Sequence, residues 1–196
     1  MLDTHVRKYC QPWLSRLAQG LVPLGLRPNT VTLLALAAGL GGAFALYQQL
    51  PVLALTLLWL SGLADVLDGT VARLTGESSP FGAFMDLIFD RVVEMCYILA
   101  IVIPAPEFAV PAVYLLCSII FSFSIFLASG ALIGKRSEKA FYYQAGLAER
   151  TETFLIFSGI MVFPEFTTLL LNLFTAMIVF TGGQRFYEVY RYFHTE

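Results

Sequence analysis

The residues of this chain best suited to chemistry are four aspartates in two closely spaced pairs. They stand in Asp65-Val-Leu-Asp68-Gly69-Thr-Val-Ala72-Arg73, then, after eight further residues, in Gly82-Ala-Phe-Met-Asp86-Leu-Ile-Phe-Asp90. On a helix, positions three or four apart share a face, so Asp65 pairs with Asp68 and Asp86 with Asp90. Two antiparallel helices joined by a short loop then bring all four carboxylates to one level. Carboxylates gathered in this way repel one another unless they are protonated or neutralised. Hard divalent cations such as Mg²⁺, Mn²⁺ and Ca²⁺ prefer oxygen ligands, and a Mg²⁺ site is commonly completed by water and substrate phosphates. Two such ions can stabilise both the attacking and the leaving oxygen of a phosphoryl displacement. The expected chemistry is therefore phosphoryl-group transfer with two bound Mg²⁺ or Mn²⁺ ions.

The surrounding residues suit a phosphorylated ligand. Gly69 and Gly82 let a bulky group approach the backbone, and Ala72 leaves space one turn after Asp68. Arg73 is a bidentate phosphate donor at a helix end. Upstream, Arg27-Pro28-Asn29-Thr30-Val31-Thr32 opens an apolar run. There Asn29 or Thr30 is expected to cap a helix whose N-terminal N–H groups favour an anion.

The elements that must position these residues lie in a bilayer. The 196 residues are 58% hydrophobic and only 13% charged, against about 25% charged in an ordinary soluble domain. Apolar runs long enough to span occur at six places, near Asn29–Gln48, Pro51–Leu74, Phe81–Ile103, Phe108–Gly134, Ala148–Phe163 and Thr167–Arg185. A span needs about 20 residues, so the fifth is short, and the last can continue to Phe193 as a helix leaving the membrane. Before them, residues 3–19 place Val6, Cys10, Trp13, Leu14 and Leu17 at helical spacing with Arg7, Lys8 and Arg16 between. That pattern suits an interfacial amphipathic helix. The expected fold class is all-α integral membrane, a single domain over 1–196 with an interfacial helix (3–19) and a six-span bundle (29–193). The glycines Gly39, Gly41 and Gly42 are read as sites of close helix packing.

All twelve basic residues fall on one side of these spans or at helix ends facing it. Basic residues gather on the cytoplasmic face, which places both termini and the aspartates there. An even number of spans is required, and six satisfies it. The N-terminus lacks the apolar core and cleavage site of a signal peptide, so the first span is expected to act as its own insertion signal. Cys10, Cys96 and Cys117 show no metal-binding spacing, and His5 and His194 lie near opposite ends without ligand partners. A metal site built on thiols or imidazoles is excluded on that ground.

Were the aspartates only helix-end charges solvated by water or paired with Arg73 and Arg91, each would cost about 2.5–3.5 kcal/mol to insert. Four retained without a use is implausible. A carboxylate-lined divalent-cation transporter needs polar residues continuing through the bilayer, whereas the outer halves of these spans are almost wholly apolar. Intramembrane prenyltransferases carry two separate aspartate-rich motifs, and here there is one cluster.

The pattern from Asp65 to Asp90, Asp-x2-Asp-Gly-x2-Ala-Arg-x8-Gly-x3-Asp-x3-Asp, resembles the signature of the CDP-alcohol phosphatidyltransferase family at all eight positions. The Pro28-Asn29…Thr32 segment and the six-span architecture are similar as well. The resemblance implies transfer of a phosphatidyl group from a CDP-linked lipid such as CDP-diacylglycerol to an alcohol, with release of CMP, in phospholipid biosynthesis. By position, Asp65, Asp68 and Asp86 would bind the metals. Asp90 would be the general base and also touch a metal. Gly69, Ala72, Arg73 and Gly82, with Asp65, Ser79 and Pro28, Asn29, Thr30, Val31 and Thr32, would hold the CDP-lipid. The family also implies a homodimer, although no span here marks an interface. The expected setting is membrane lipid in the inner membrane of a prokaryote, with no nucleic acid among the partners.

The acceptor is less legible. Lys135, Arg136 and Lys139 follow the fourth span, Arg150 opens the fifth in Arg150-Thr-Glu152, and Arg185 and Arg191 lie in or after the sixth. Inositol-phosphate transferring members of the family resemble this arrangement, which makes Lys135, Arg150 and Arg185 candidates for holding an acceptor phosphate. These residues also suit orientation anchors that snorkel to the interface. Glycerol phosphate or an unphosphorylated alcohol stays open. The Gly-Leu-Pro segment associated with serine-transferring members is not found.

Overall fold

Proline punctuates the apolar runs, and the helices start where it stands. The computed structural model describes residues 2–133 and 150–194. Among them the α-helices are α1 (Leu2–Leu21), α2 (Pro28–Tyr47), α3 (Pro51–Thr75), α4 (Pro80–Val102), α5 (Ala109–Ile133), α6 (Arg150–Val162) and α7 (Thr167–His194). Pro28, Pro51 and Pro80 each open a helix, and Pro106 and Pro164 each open the short 3₁₀ turn before the next one. Proline suits a first helical position, since its fixed φ is already helical and the N–H it lacks would have no helical partner. The first turn of α2 departs from expectation for this reason. Arg27, in extended conformation and without a side-chain cap, precedes Pro28, so Asn29 and Thr30 lie inside the helix instead of capping it. The stretch carrying Lys135, Arg136 and Lys139 lies outside the described residues.

Among the described residues, four stretches are long and apolar enough to cross a bilayer: Pro28–Tyr47, Pro51–Thr75, Pro106–Leu132 and Pro164–His194. Six were expected. Helix α4 is long enough at 23 residues, but Asp86, Asp90, Arg91 and Glu94 make it too charged to qualify on composition. Helix α6 has only 13 residues. The surface matches a hydrocarbon environment, with Phe44, Val52, Ile120 and Leu169 all more than 60% exposed. This is a multi-pass, all-α membrane protein.

The chain forms two compact units, Thr4–Pro106 and Glu107–Glu196 with Met1–Asp3. In the first, α2 packs against both α3 and α4. Between lipid-embedded helices apolar burial gives little drive, so small residues and buried hydrogen bonds take over. A Cβ on Gly39 would overlap the methyls of Val93 on α4 and lie 3.0 Å from Ser61 Oγ on α3. One on Gly42 would overlap the Tyr97 hydroxyl. Ser61 donates to the Ala35 carbonyl at 2.7 Å, and the fully buried Tyr97 hydroxyl donates to the Ala54 carbonyl at 3.0 Å. Gly41 differs, because a Cβ there would meet only Leu57 at an ordinary 3.6 Å. Gly42→Ala should therefore cost about 1–3 kcal/mol through overpacking and lower the thermal unfolding midpoint in detergent. Gly41→Ala should leave the midpoint nearly unchanged, and equal effects at the two positions would contradict this packing.

Helix α1 lays Leu14 and Ala18, four apart, onto Val31, Leu67 and Val71 of α2 and α3. Trp13 and Leu17 of the same helix lie outward at 55% and 36% exposure. In the second unit α5 packs on α7, where a Cβ on Gly182 would come within 2.8 Å of the Phe121 ring. Phe157 of α6 and Phe174 of α7 meet edge to face with centroids 6.3 Å apart.

Candidate metal centre and cleft

The turn between α3 and α4 sets the site. Helix α3 ends at Gly76, in the left-handed region at φ 68°, whose N–H bonds the Ala72 carbonyl. The Glu77 N–H bonds the same carbonyl at 3.1 Å. A glycine is suited to that φ, and it stops the helix sharply. Ser79 then caps α4, its hydroxyl oxygen accepting from the Gly82 N–H at 3.0 Å. Chain reversal over so few residues places the C-terminal end of α3 beside the N-terminal end of α4. Asp65, Asp68 and Asp86 are thereby brought together, each offering one carboxylate oxygen within 4.8 Å of the others. Asp68 is buried, while Asp65 and Asp86 are half-buried. Asp90 is half-buried one turn further along α4 and is not one of these three.

A cleft opens beside the three carboxylates. Asp68, Gly69, Ala72 and Arg73 of α3 line it, with Ser79, Gly82 and Asp86 at the start of α4 and Pro28, Asn29 and Thr32 at the start of α2. Glu77, Ser78 and Ala83 complete the lining. Sequence reasoning passed over Glu77 and Ser78 because they fall among the eight unspecified positions of the motif. Three residues expected to hold the CDP-lipid do not line the cleft: Asp65, which converges with Asp68 and Asp86, and Thr30 and Val31. Thr30 is exposed and does not line the cleft. The Val31 side chain is 3% exposed in the core against α1, and its N–H bonds the Arg27 carbonyl at 3.2 Å. The Val31 side chain therefore faces the core and not the cleft.

The two glycines of the motif serve different needs. A Cβ on Gly82 would sit 3.2 Å from Ser79 Oγ and 3.3 Å from Asn29 Oδ1, so the approach of α2 to α4 itself requires glycine. At Gly69 a Cβ would meet only Arg73 Nη1 at 3.6 Å, an ordinary contact. Protein packing makes no demand there, and the missing side chain leaves open space in the cleft. Arg73 is steadied by Thr70, its Nη2 donating to the threonine Oγ1 at 3.0 Å. Arg91 forms an ion pair with Glu94, a buried acid on the same helix.

The donor set fits a hard divalent cation. It consists of carboxylate oxygens alone, from two helices, with no thiol or imidazole among them. Arg150 and Arg185 belong to the second unit. The Arg150 guanidinium carbon lies 5.5 Å from the centre of the Phe154 ring. That of Arg185 lies 5.3 Å from the centre of Phe126, with Nη1 3.5 Å from Ser122 Oγ. Lys135 lies outside the described residues.

Comparison with known proteins agrees with this geometry. The family described as CDP-alcohol phosphatidyltransferase matches residues 26–182. The chain belongs to this family. It is accordingly an enzyme, a CDP-alcohol phosphatidyltransferase. Inner membrane protein YnjF of Escherichia coli (strain K12) is 31% identical over 198 aligned residues, which cover 97% of this chain and 96% of that one. Archaetidylinositol phosphate synthase of Pyrococcus horikoshii is 37% identical over 92 residues, covering 47% of this chain and 48% of that one. The fold is shared with Mycobacterium tuberculosis phosphatidylinositol phosphate synthase. Its crystal structure with CDP-DAG bound aligns at a TM-score of 0.75 and 22% identity, covering 90% of this chain and 93% of that chain. A second crystal structure of that synthase, in complex with manganese and citrate, aligns at the same TM-score of 0.75 and 24% identity, covering 90% and 88%.

Proposed function

We propose that this enzyme transfers a phosphatidyl group from CDP-diacylglycerol to the hydroxyl of a polar alcohol and releases CMP. The observation that carries the proposal is the convergence of Asp65, Asp68 and Asp86, the last two lining a cleft with small residues and Arg73. Those three aspartates would hold one or two Mg²⁺ or Mn²⁺ ions, with Asp90 as a further ligand. When bound, the ions would neutralise the pyrophosphate and the charge that develops on the leaving phosphate. The occurrence of CDP-DAG and of manganese in the structures of the Mycobacterium synthase supports both assignments.

The chain's own residues supply binding, orientation and a proton acceptor. Arg73, braced by Thr70, donates to the phosphates, while Gly69 and Ala72 leave room for the nucleotide and Asn29 and Ser79 border it. Asp90 accepts the proton of the acceptor hydroxyl at its carboxylate. A bond forms between the acceptor oxygen and the lipid-side phosphorus, the phosphoanhydride bond breaks, and its electron pair leaves on CMP.

Helices α4 and α6 are read as spans too, giving six, with both termini and the cleft on the cytoplasmic side. The one-sided distribution of basic residues supports that orientation. The name of the Escherichia coli relative supports an inner-membrane location. The family match runs from 26 to 182 and so through both compact units, which favours one functional domain. A homodimer is the family expectation and is kept as such.

For the acceptor, an inositol phosphate is the first alcohol to test, with Lys135, Arg150 and Arg185 as the residues that would hold its phosphate. The activities named for the Pyrococcus and Mycobacterium relatives support this choice. Glycerol phosphate and unphosphorylated alcohols are the alternatives. Purified enzyme given CDP-diacylglycerol, Mn²⁺ and one alcohol at a time should release CMP with one class of acceptor and not the others. CMP release with an unphosphorylated alcohol alone would remove the phosphate-binding role from the three basic residues.

A further inference from the structure

Of the residues lining the cleft, Thr32 makes the contact that the family pattern does not explain. Its side chain on α2 is 5% exposed, and Asp68 on α3 is 7% exposed. Thr32 Oγ1 lies 2.6 Å from Asp68 Oδ2 and 3.1 Å from the Pro28 carbonyl one turn back. A hydroxyl has one proton to donate. An ionised carboxylate is the stronger acceptor, and 2.6 Å falls in the 2.5–2.7 Å range of O–H···O⁻ bonds. The proton therefore goes to Asp68.

We propose that Thr32 is a positioning residue for Asp68, its hydroxyl fixing the carboxylate in the orientation a divalent cation requires, so that it acts through the ligand and not on the lipid nucleotide. This rests on the metal-site reading above. Asp68 is the most buried of the three converging aspartates. Carboxylates that bind metals are commonly held by such outer hydrogen bonds, whose removal costs about 10–100-fold in metal affinity. The contact is one of several that join α2 to α3. One turn on, Ser61 bonds the Ala35 carbonyl at 2.7 Å, and Gly39 admits close approach. Loss of the Thr32 hydroxyl should therefore affect the ligand more than the helix pair.

The test is Mn²⁺ binding to the purified full chain in detergent, without substrate, read from the electron paramagnetic resonance signal of free Mn²⁺. Thr32→Val keeps the shape and removes the donor, and Thr32→Ser keeps the donor and removes the methyl. The expected result is binding about 10–100-fold weaker in Thr32→Val and close to wild type in Thr32→Ser. Should the valine variant not fold, judged by its thermal unfolding without metal, Thr32→Ala carries the same expectation. Unchanged affinity in Thr32→Val overturns the positioning role and leaves the metal site standing. Equal weakening in valine and serine variants overturns it too, since packing and not the hydroxyl would then matter. Wild-type protein that binds no Mn²⁺ overturns the metal site and the positioning role together.

Discussion

Asp90→Asn should lower CMP release by roughly 10²–10⁴-fold, the usual contribution of a positioned general base, while CDP-diacylglycerol still binds. The amide has nearly the shape of the carboxylate but cannot take up the acceptor's proton. Asp90 is set apart by its place, one turn beyond Asp86 and outside the three carboxylates that converge within 4.8 Å. Removing it should spare the site that holds the pyrophosphate. The measurement pairs a single-turnover assay of CMP release with binding of radiolabelled CDP-lipid to protein in detergent. Full turnover in the variant would remove Asp90 from the role of base. Loss of lipid binding together with turnover would instead make it chiefly a metal ligand.

The opposite pattern is expected at Asp86. Asp86→Asn should abolish both Mn²⁺ binding and turnover, because one of the three carboxylates that converge among the described residues is lost. The site that remains, Asp65 and Asp68 with the further ligand Asp90, has less charge and one oxygen ligand fewer, and hard cations depend on both. Titration calorimetry with Mn²⁺ gives the first readout and CMP release the second. Asp65→Asn should behave likewise. A variant that retains turnover with unaltered metal dependence would show that the cluster is not where the metal acts.

Much of this was legible in the residues. Helix limits followed from the apolar runs, and most expected boundaries lie within a residue or two of those observed. The meeting of Asp65 and Asp68 with Asp86 followed from helical spacing and a short loop. What escaped were the choices made by tertiary contact. Thr32 and Val31 are neighbours in a segment read as one binding element. Yet one bonds a carboxylate 36 positions away and the other enters the core against α1. Nothing local distinguishes them, because the direction each faces depends on how α1 and α3 pack on α2. Six apolar runs also did not yield six clearly apolar helices. The charges that make α4 useful to the site, Asp86 and Asp90 with the Arg91–Glu94 pair, are what make its composition ambiguous as a span.

Every role proposed above depends on metal-dependent phosphatidyl transfer at the Asp65–Asp68–Asp86 cluster. The most direct test is CMP release from CDP-diacylglycerol by purified protein across a panel of alcohols, after chelation and then with Mg²⁺ or Mn²⁺ restored. No CMP is expected under chelation, with recovery on adding either ion and dependence on one acceptor class. No CMP with any alcohol and either ion, alongside cation flux through the protein in liposomes, would contradict metal-dependent transfer.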